Sequence, residues 1–191
     1  MELLSRTARS PVAQSKQTAK QAVRKQTVRV AIALGANLGN AQQTLCDAVQ
    51  VIDAAAGISV SAQSRFYRTA PVGPPQPDYI NACILAHTTL TPRALLAQLL
   101  DIETQFGRVR KVRWGARSLD LDLIFYGDQI IDLPRLVVPH PRLHERAFVL
   151  VPLADVSPEW SHPILGKTTQ QLLGQLSDNQ PIRGVEQIFP S

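Results

Sequence analysis

The sequence predicts an α+β fold, a ferredoxin-like split βαβ sandwich: an antiparallel sheet with helices on one face plus a C-terminal extension. Three observations predict it. From Val28 onward, strand-like and helix-like runs follow one another in the order β-α-β-β-α-β. Each helical run opens on a capping signal, Asn40 or Thr91-Pro92, and closes at a glycine, Gly57 or Gly107. Leu119, Leu121, Leu123 and Phe125 alternate with Ser118, Asp120 and Asp122, the period-two signature of a half-buried strand.

In order, VRVAIAL over 28–34 reads as the first strand, and Gly35-Ala36-Asn37-Leu38-Gly39-Asn40 as a turn feeding a helix. Asn37 stands where a dinucleotide fingerprint would carry its second glycine, so that motif is set aside. Leu45, Ala48, Val49, Ile52 and Ala56 form the apolar stripe of the first helix. The second strand spans 58–67, and a loop with Pro71, Pro74, Pro75 and Pro77 follows it. Four prolines exclude helix and hold a loop in shape before a ligand arrives. Residues 79–88 form the third strand, with Tyr79 and Asn81 on the same side. Leu95, Leu99, Ile102 and Phe106 face the core from the second helix. Residues 130–138 read as a hairpin partner of the acidic strand, turning at Gly127-Asp128. A short helix opens at Pro141, a weaker one spans 168–176, and the end is loose.

The chain has 191 residues, enough for one domain with a core, and a formal charge of +5. Residues 1–27 carry six basic side chains against Glu2 alone, whereas the rest balances 14 basic with 14 acidic residues. We therefore divide the chain into a basic, disordered tail over 1–27 and a catalytic domain over 28–191. The tail's composition fits an extension and also a transit leader. The neutral body argues against a nucleic-acid partner, and no run is apolar enough to span a membrane. Cys46 and Cys83 read as core thiols in a reducing, cytoplasmic setting.

The chemistry concentrates in GRVRKVRWGARSLDLDLIFYG, residues 107–127. Asp120 and Asp122 project side by side from one pleat face. Two such carboxylates stay ionised only with positive charge between them, and Mg²⁺ takes one or two carboxylates while leaving room for phosphates. The arginines upstream can fork onto phosphate oxygens. Acid pair, cation and basic loop suggest transfer of a phosphate-containing group, by a kinase or by a nucleotidyltransferase. The alternative is an edge strand with a solvated face beside a solvated basic loop. Gly166-Lys167-Thr168 lacks the first glycine and the preceding strand of a phosphate-binding loop. His140 and His144 have zinc-like spacing, but Pro141 separates them and no further ligands accompany them.

Four segments carry a resemblance: ALGANLGN at 33–40, FYRTAPVGPPQPDYINA at 66–82, the basic-acidic stretch at 107–127, and VPHPRLHERAFVLVPLADVSPEW at 138–160. Together they resemble the 6-hydroxymethyl-7,8-dihydropterin pyrophosphokinase family. The resemblance implies transfer of the terminal diphosphate of ATP to the hydroxymethyl oxygen of 6-hydroxymethyl-7,8-dihydropterin, in folate biosynthesis. It implies two Mg²⁺ ions on Asp120 and Asp122; separately, we expect a monomer. Arg108 and Arg117 would act on the ATP phosphates. Glu103 would help order these arginines and, with Lys111, Leu123, Arg135, Val137, His140 and Arg146, complete the nucleotide site. Thr69, Ala70, Val72, Tyr79, Asn81, Trp114, Asp120 and Phe148 would form the pterin site. Ala70 and Pro141 depart from residues common in the family, and the segment from Lys111 to Trp114 is one residue shorter than in some members.

Overall fold

The computed structural model describes residues 27–71, 74–108, 115–179 and 185–188. The tail at 1–26, Val72 and the segment 109–114, which holds Lys111 and Trp114, lie outside them. The expected order is present: β1 (Val28–Ala36), α1 (Ala41–Ala54), β2 (Ile58–Gln63), β3 (Phe66–Thr69), β4 (Tyr79–Thr88), α2 (Pro92–Gln105) and β5 (Asp120–Tyr126). β5, β1, β4 and β3 lie side by side in an antiparallel sheet, with β2 also on β4.

The helix starts follow from their caps. The Asn40 side chain accepts the Gln43 amide, and the Thr91 hydroxyl accepts that of Ala94. Leu45, Ala48 and Ile52 of α1, with Leu95, Leu99 and Ile102 of α2, bury against Val30, Ile32 and Leu34 of β1. Ala56 does not share in this stripe: α1 ends at Ala54, and Ala56 is exposed in the turn before Gly57.

The strand expected at 58–67 is broken into β2 and β3. At the break the Cys83 amide donates to the Ser64 hydroxyl at 2.9 Å, and the Ser64 amide donates to the Cys83 carbonyl at 2.9 Å. A side chain has entered the ladder, so the strand bends there and runs on to Thr69.

The extension covers the other face of the sheet. After β6 (Ile131–Leu133), β7 (Leu136–Val138) and a 3-10 turn at Leu143–Glu145 comes α3 (Ala147–Val156), then α4 (Thr169–Asn179) and β8 (Val185–Ile188). Val149, Leu150 and Leu153 of α3 and Leu172 of α4 pack on Ala31, Ala33, Cys83 and Leu85. From Val30 onward β1 is thus buried on both sides, which is why that part of it is continuously apolar. The sequence hid α3 because AFVLVPLADV is apolar all round and contains Pro152.

Three further expectations give way here. Residues 130–138 do not pair with β5; β6 and β7 form a hairpin of their own, closed by a tight turn at Pro134-Arg135. The end is not loose where it is described, because β8 pairs with β3. Arg65 and Asp155 lie beside that junction, and Asp155 accepts from the Arg65 guanidinium and from Tyr67. Phe125 does not share the face of Leu121 and Leu123. Ile32 stands opposite Leu123 while Ala31 stands opposite Phe125, so Ile124 is an extra residue that inverts the alternation beyond it. Phe125 turns to the second face and stacks on Trp160.

Candidate active site

Upstream of that bulge the alternation holds. Leu121 and Leu123 enter the core shared with α1 and α2, which sends Asp120 and Asp122 to the opposite face. The sheet register then sets a row across three strands: Asp120 opposite Gly35, and Gly35 opposite Asn81. Gly35 keeps the middle of the row open. A Cβ there would lie 3.2 Å from Asn81 Oδ1 and 3.9 Å from a ring carbon of Tyr79. Asn81 is buried and donates to Thr69 Oγ1 at 2.8 Å. An amide and a hydroxyl therefore sit beside the acid pair, with Tyr79 half-buried next to them.

Arginines surround the acids. Arg108 Nη2 lies 2.7 Å from Asp120 Oδ1, and Arg117 Nη1 hydrogen-bonds Asp120 Oδ2. Glu103 is 2 % exposed; it accepts the Leu121 amide at 2.7 Å and also binds Arg108. A buried carboxylate on α2 thereby ties the helix to β5 and orients an arginine toward Asp120. Burial raises the Glu103 pKa, while the Leu121 amide and Arg108 pull the other way. Asp122 is served differently, with Arg146 Nη1 3.7 Å from its Oδ2. Burial, followed by the charge of Asp120, raises the Asp122 pKa.

Arg146 leads to a second wall. Its Nη1 is 3.4 Å from His140 Nε2, and its guanidinium lies 5.6 Å from the Phe148 ring. Burial and the neighbouring Arg146 push the His140 imidazole down to about 4, so the ring is neutral at pH 7. Its Nδ1 accepts the Arg142 amide at 3.2 Å.

Arg135 and Val137 are exposed on the β6–β7 hairpin. Arg135 has a φ of 69°, the left-handed region that costs a non-glycine residue about 1–2 kcal/mol. The Leu123 side chain is in the core, which leaves only its backbone for any ligand. Ala70 is exposed at the end of β3.

Sequence reasoning overlooked one residue at the centre of this site. Asn37 is 4 % exposed and binds two other loops. Its Nδ2 donates to Gln76 Oε1 at 3.0 Å and to the Pro77 carbonyl at 2.9 Å. Its Oδ1 accepts the Arg117 amide at 2.7 Å, and its own amide donates to the Arg117 carbonyl at 3.0 Å. Tyr79 Oη adds a parallel tie to the Gly115 carbonyl at 3.2 Å. The only sequence signal was an asparagine in a glycine turn, and that also describes Asn40, which merely caps a helix.

The donor set suits a hard divalent cation: two carboxylates on one pleat, repelling each other and neutralised by guanidinium groups. No group of three or more His, Cys, Asp or Glu converges among the described residues, so other oxygen ligands would have to come from substrate and water.

The model of the 7,8-dihydro-6-hydroxymethylpterin-pyrophosphokinase family (HPPK) matches residues 31–158. A Synechocystis 2-amino-4-hydroxy-6-hydroxymethyldihydropteridine pyrophosphokinase is 48% identical over 145 residues, covering 76% of this chain and 74% of the relative. The Haemophilus influenzae protein of the same name is 40% identical over 153 residues, 80% of this chain and 95% of the relative. Among solved structures, a Plasmodium falciparum HPPK-DHPS with pteroate superposes with a TM-score of 0.69 at 13% identity. That match covers 91% of this chain and 49% of the other, so this chain spans about half the length of that one. At this identity the likeness speaks for the fold alone.

Proposed function

The chain belongs to the 7,8-dihydro-6-hydroxymethylpterin-pyrophosphokinase family, ATP-dependent diphosphotransferases of folate biosynthesis, and from that premise we propose how its own residues divide the work. The observation that carries the reading is the pairing of Asp120 and Asp122 on one pleat, ringed by Arg108, Arg117 and Arg146.

The pterin lies over Gly35, with Asn81 and Thr69 hydrogen-bonding its edge and Tyr79 and Phe148 against its faces. Ala70 and Val72 contribute backbone groups. ATP lies on the side of Arg135, Val137, His140 and Arg146, reaching the backbone of Leu123. Asp120 and Asp122 hold two Mg²⁺ ions, which when bound supply charge neutralisation and Lewis acidity. Arg108 and Arg117 pair with Asp120. In the complex these guanidinium groups turn to the phosphate oxygens, and Glu103 keeps Arg108 oriented. Lys111 is assigned to the nucleotide and Trp114 to the pterin.

The pterin hydroxymethyl oxygen bonds to the β-phosphorus while the bond from that phosphorus to the α–β bridging oxygen breaks. AMP departs, and the hydroxyl proton passes to solvent. No side chain here need act as a general base, because the chain's work is positioning and charge stabilisation. We read the enzyme as a cytoplasmic monomer with no nucleic-acid or membrane partner. The free thiols Cys46 and Cys83 suit a reducing compartment.

The test is direct. Purified protein, ATP, Mg²⁺ and the reduced pterin should yield AMP and the pterin diphosphate in equal amounts. Release of inorganic pyrophosphate instead would mean nucleotidyl transfer and overturn the reading.

A further inference from the structure

We propose that Asp155 is a positioning residue for the pterin: by bracing α3 against β3 and β8 it sets the gap between the Phe148 ring and the side chains of Asn81 and Thr69. The inference rests on the functional reading above and goes beyond it, since Asp155 touches no substrate there.

The row of residues that begins at Asp120 does not stop at Asn81. Asn81 stands opposite Tyr67 on β3, and Tyr67 stands opposite Gln187 on β8. Residues directly opposite one another share a face, so Asn81, Tyr67 and Gln187 all lie on the side of the sheet that α3 covers. Thr69, two residues along β3 from Tyr67, points the same way.

Asp155 closes this row. Its Oδ2 accepts the Tyr67 hydroxyl at 2.7 Å, the Arg65 amide at 3.2 Å and Arg65 Nε at 3.1 Å, and its Oδ1 accepts Arg65 Nη2. Arg65 Nη1 goes on to donate to Gln187 Oε1 at 2.8 Å. One carboxylate therefore ties the last turn of α3 to two strands. Burial opposes its charge, but the bonds from Arg65 and Tyr67 outweigh it and hold the carboxyl below its usual range, so it is ionised at neutral pH. Hydrogen bonds to an ionised acceptor are the strong ones.

Phe148 is on the first turn of the same helix. Seven residues, about two turns, separate it from Asp155, so both side chains leave one side of α3, about 10 Å apart along its axis. A slide or roll of α3 at Asp155 thus moves the Phe148 ring against Asn81 and Thr69, which β4 and β3 hold in place. A flat ring lodged in that gap tolerates little change in its width. Asp120, Asp122, Arg108 and Arg117 do not hang from α3, and Arg146 reaches Asp122 through a long side chain that can follow a small shift.

The experiment measures kcat and the KM for each substrate on the full chain. Asp155→Ala should raise the KM for the pterin about tenfold, with kcat and the KM for ATP each within about twofold of wild type. Tyr67→Phe, which removes one hydroxyl, should raise the pterin KM by a smaller factor, and it keeps the question decidable should Asp155→Ala fail to fold. The two changes together should do no more than Asp155→Ala alone, because they break the same brace. Asp155→Glu, which retains a carboxylate, should recover most of the pterin affinity. A merely structural tie would lower the melting temperature and leave the pterin KM where it was, and that outcome would overturn the inference. Equal rises in both KM values, or factors from Tyr67→Phe and Asp155→Ala that multiply, would overturn it too. A wild type that makes no AMP would sink the functional reading and this inference together, whereas an active wild type with an unmoved Asp155→Ala sinks this inference alone.

Discussion

Asp122 stands one pleat repeat beyond Asp120, yet the two carboxylates have unequal partners. Asp120 holds both Arg108 and Arg117, whereas among the described residues the nearest guanidinium to Asp122, that of Arg146, is 3.7 Å away. Two fifths of the Asp122 side chain reaches solvent, but the surrounding protein and the charge of Asp120 still raise its pKa.

The sign of that shift yields a prediction. A carboxyl whose pKa is raised on folding stabilises the folded state fully below its unfolded pKa. That contribution is lost as pH rises through the folded value. At neutral pH without divalent ions, an ionised Asp122 therefore opposes folding. Asp122→Asn should melt at a higher temperature than wild type in chelator, and Mg²⁺ with ATP should stabilise it less. Turnover should fall roughly a thousandfold or more, as it should for Asp120→Ala. Thermal melts with and without Mg²⁺, beside steady-state rates, check this; near-normal turnover in either variant would contradict the assignment.

Gly35 supplies a prediction about the pterin. A methyl group there lies 3.2 Å from Asn81 Oδ1, closer than such groups normally approach, and overpacking of this kind costs about 1–3 kcal/mol. Gly35→Ala should raise the KM for the pterin about tenfold or more, with the KM for ATP changed much less. Equal effects on both substrates would mean that Gly35 does not floor the pterin site.

Arg135 holds a φ of 69° at an exposed turn, a conformation for which glycine is better suited. Arg135→Gly should therefore stabilise the protein by about 1 kcal/mol while weakening ATP binding. Urea denaturation and nucleotide titration read the two effects independently. A stabilised variant with unchanged ATP affinity would remove Arg135 from the nucleotide site.

His140 sets a pH window. Its folded pKa, about 4, lies below the ordinary 6.5, so its contribution to stability is present above 6.5 and lost as pH falls toward 4. Burial lowers His162 as well, so His140→Gln should diminish the loss of stability between pH 7 and 4.5 without abolishing it. His140 should add no inflection near pH 6.5 to nucleotide affinity beyond that of the nucleotide's own terminal phosphate. An imidazole NMR signal from His140 titrating near 6.5 would refute the neutral ring.

Much of this fold could be read along the chain because local rules and tertiary packing agree there. The caps at Asn40 and Thr91 lie where α1 and α2 begin, and the apolar positions from Leu45 to Ile102 face one core. Agreement ends where the signal is not local. α3 carries no amphipathic period because both its sides are covered, and β8 joins the sheet only through β3, more than a hundred residues earlier. The bulge at Ile124 changes the side on which Phe125 lies without altering the alternation in the sequence.

The same division runs through the site. Alternation in β5 by itself put Asp120 and Asp122 on one face, since a strand has period two whatever surrounds it. Only the tertiary structure decided that Gly35 separates Asp120 from Asn81 and that Asn37 bridges two loops. Strand register and buried hydrogen bonds join residues tens of positions apart, and no spacing along the chain encodes which of them will meet.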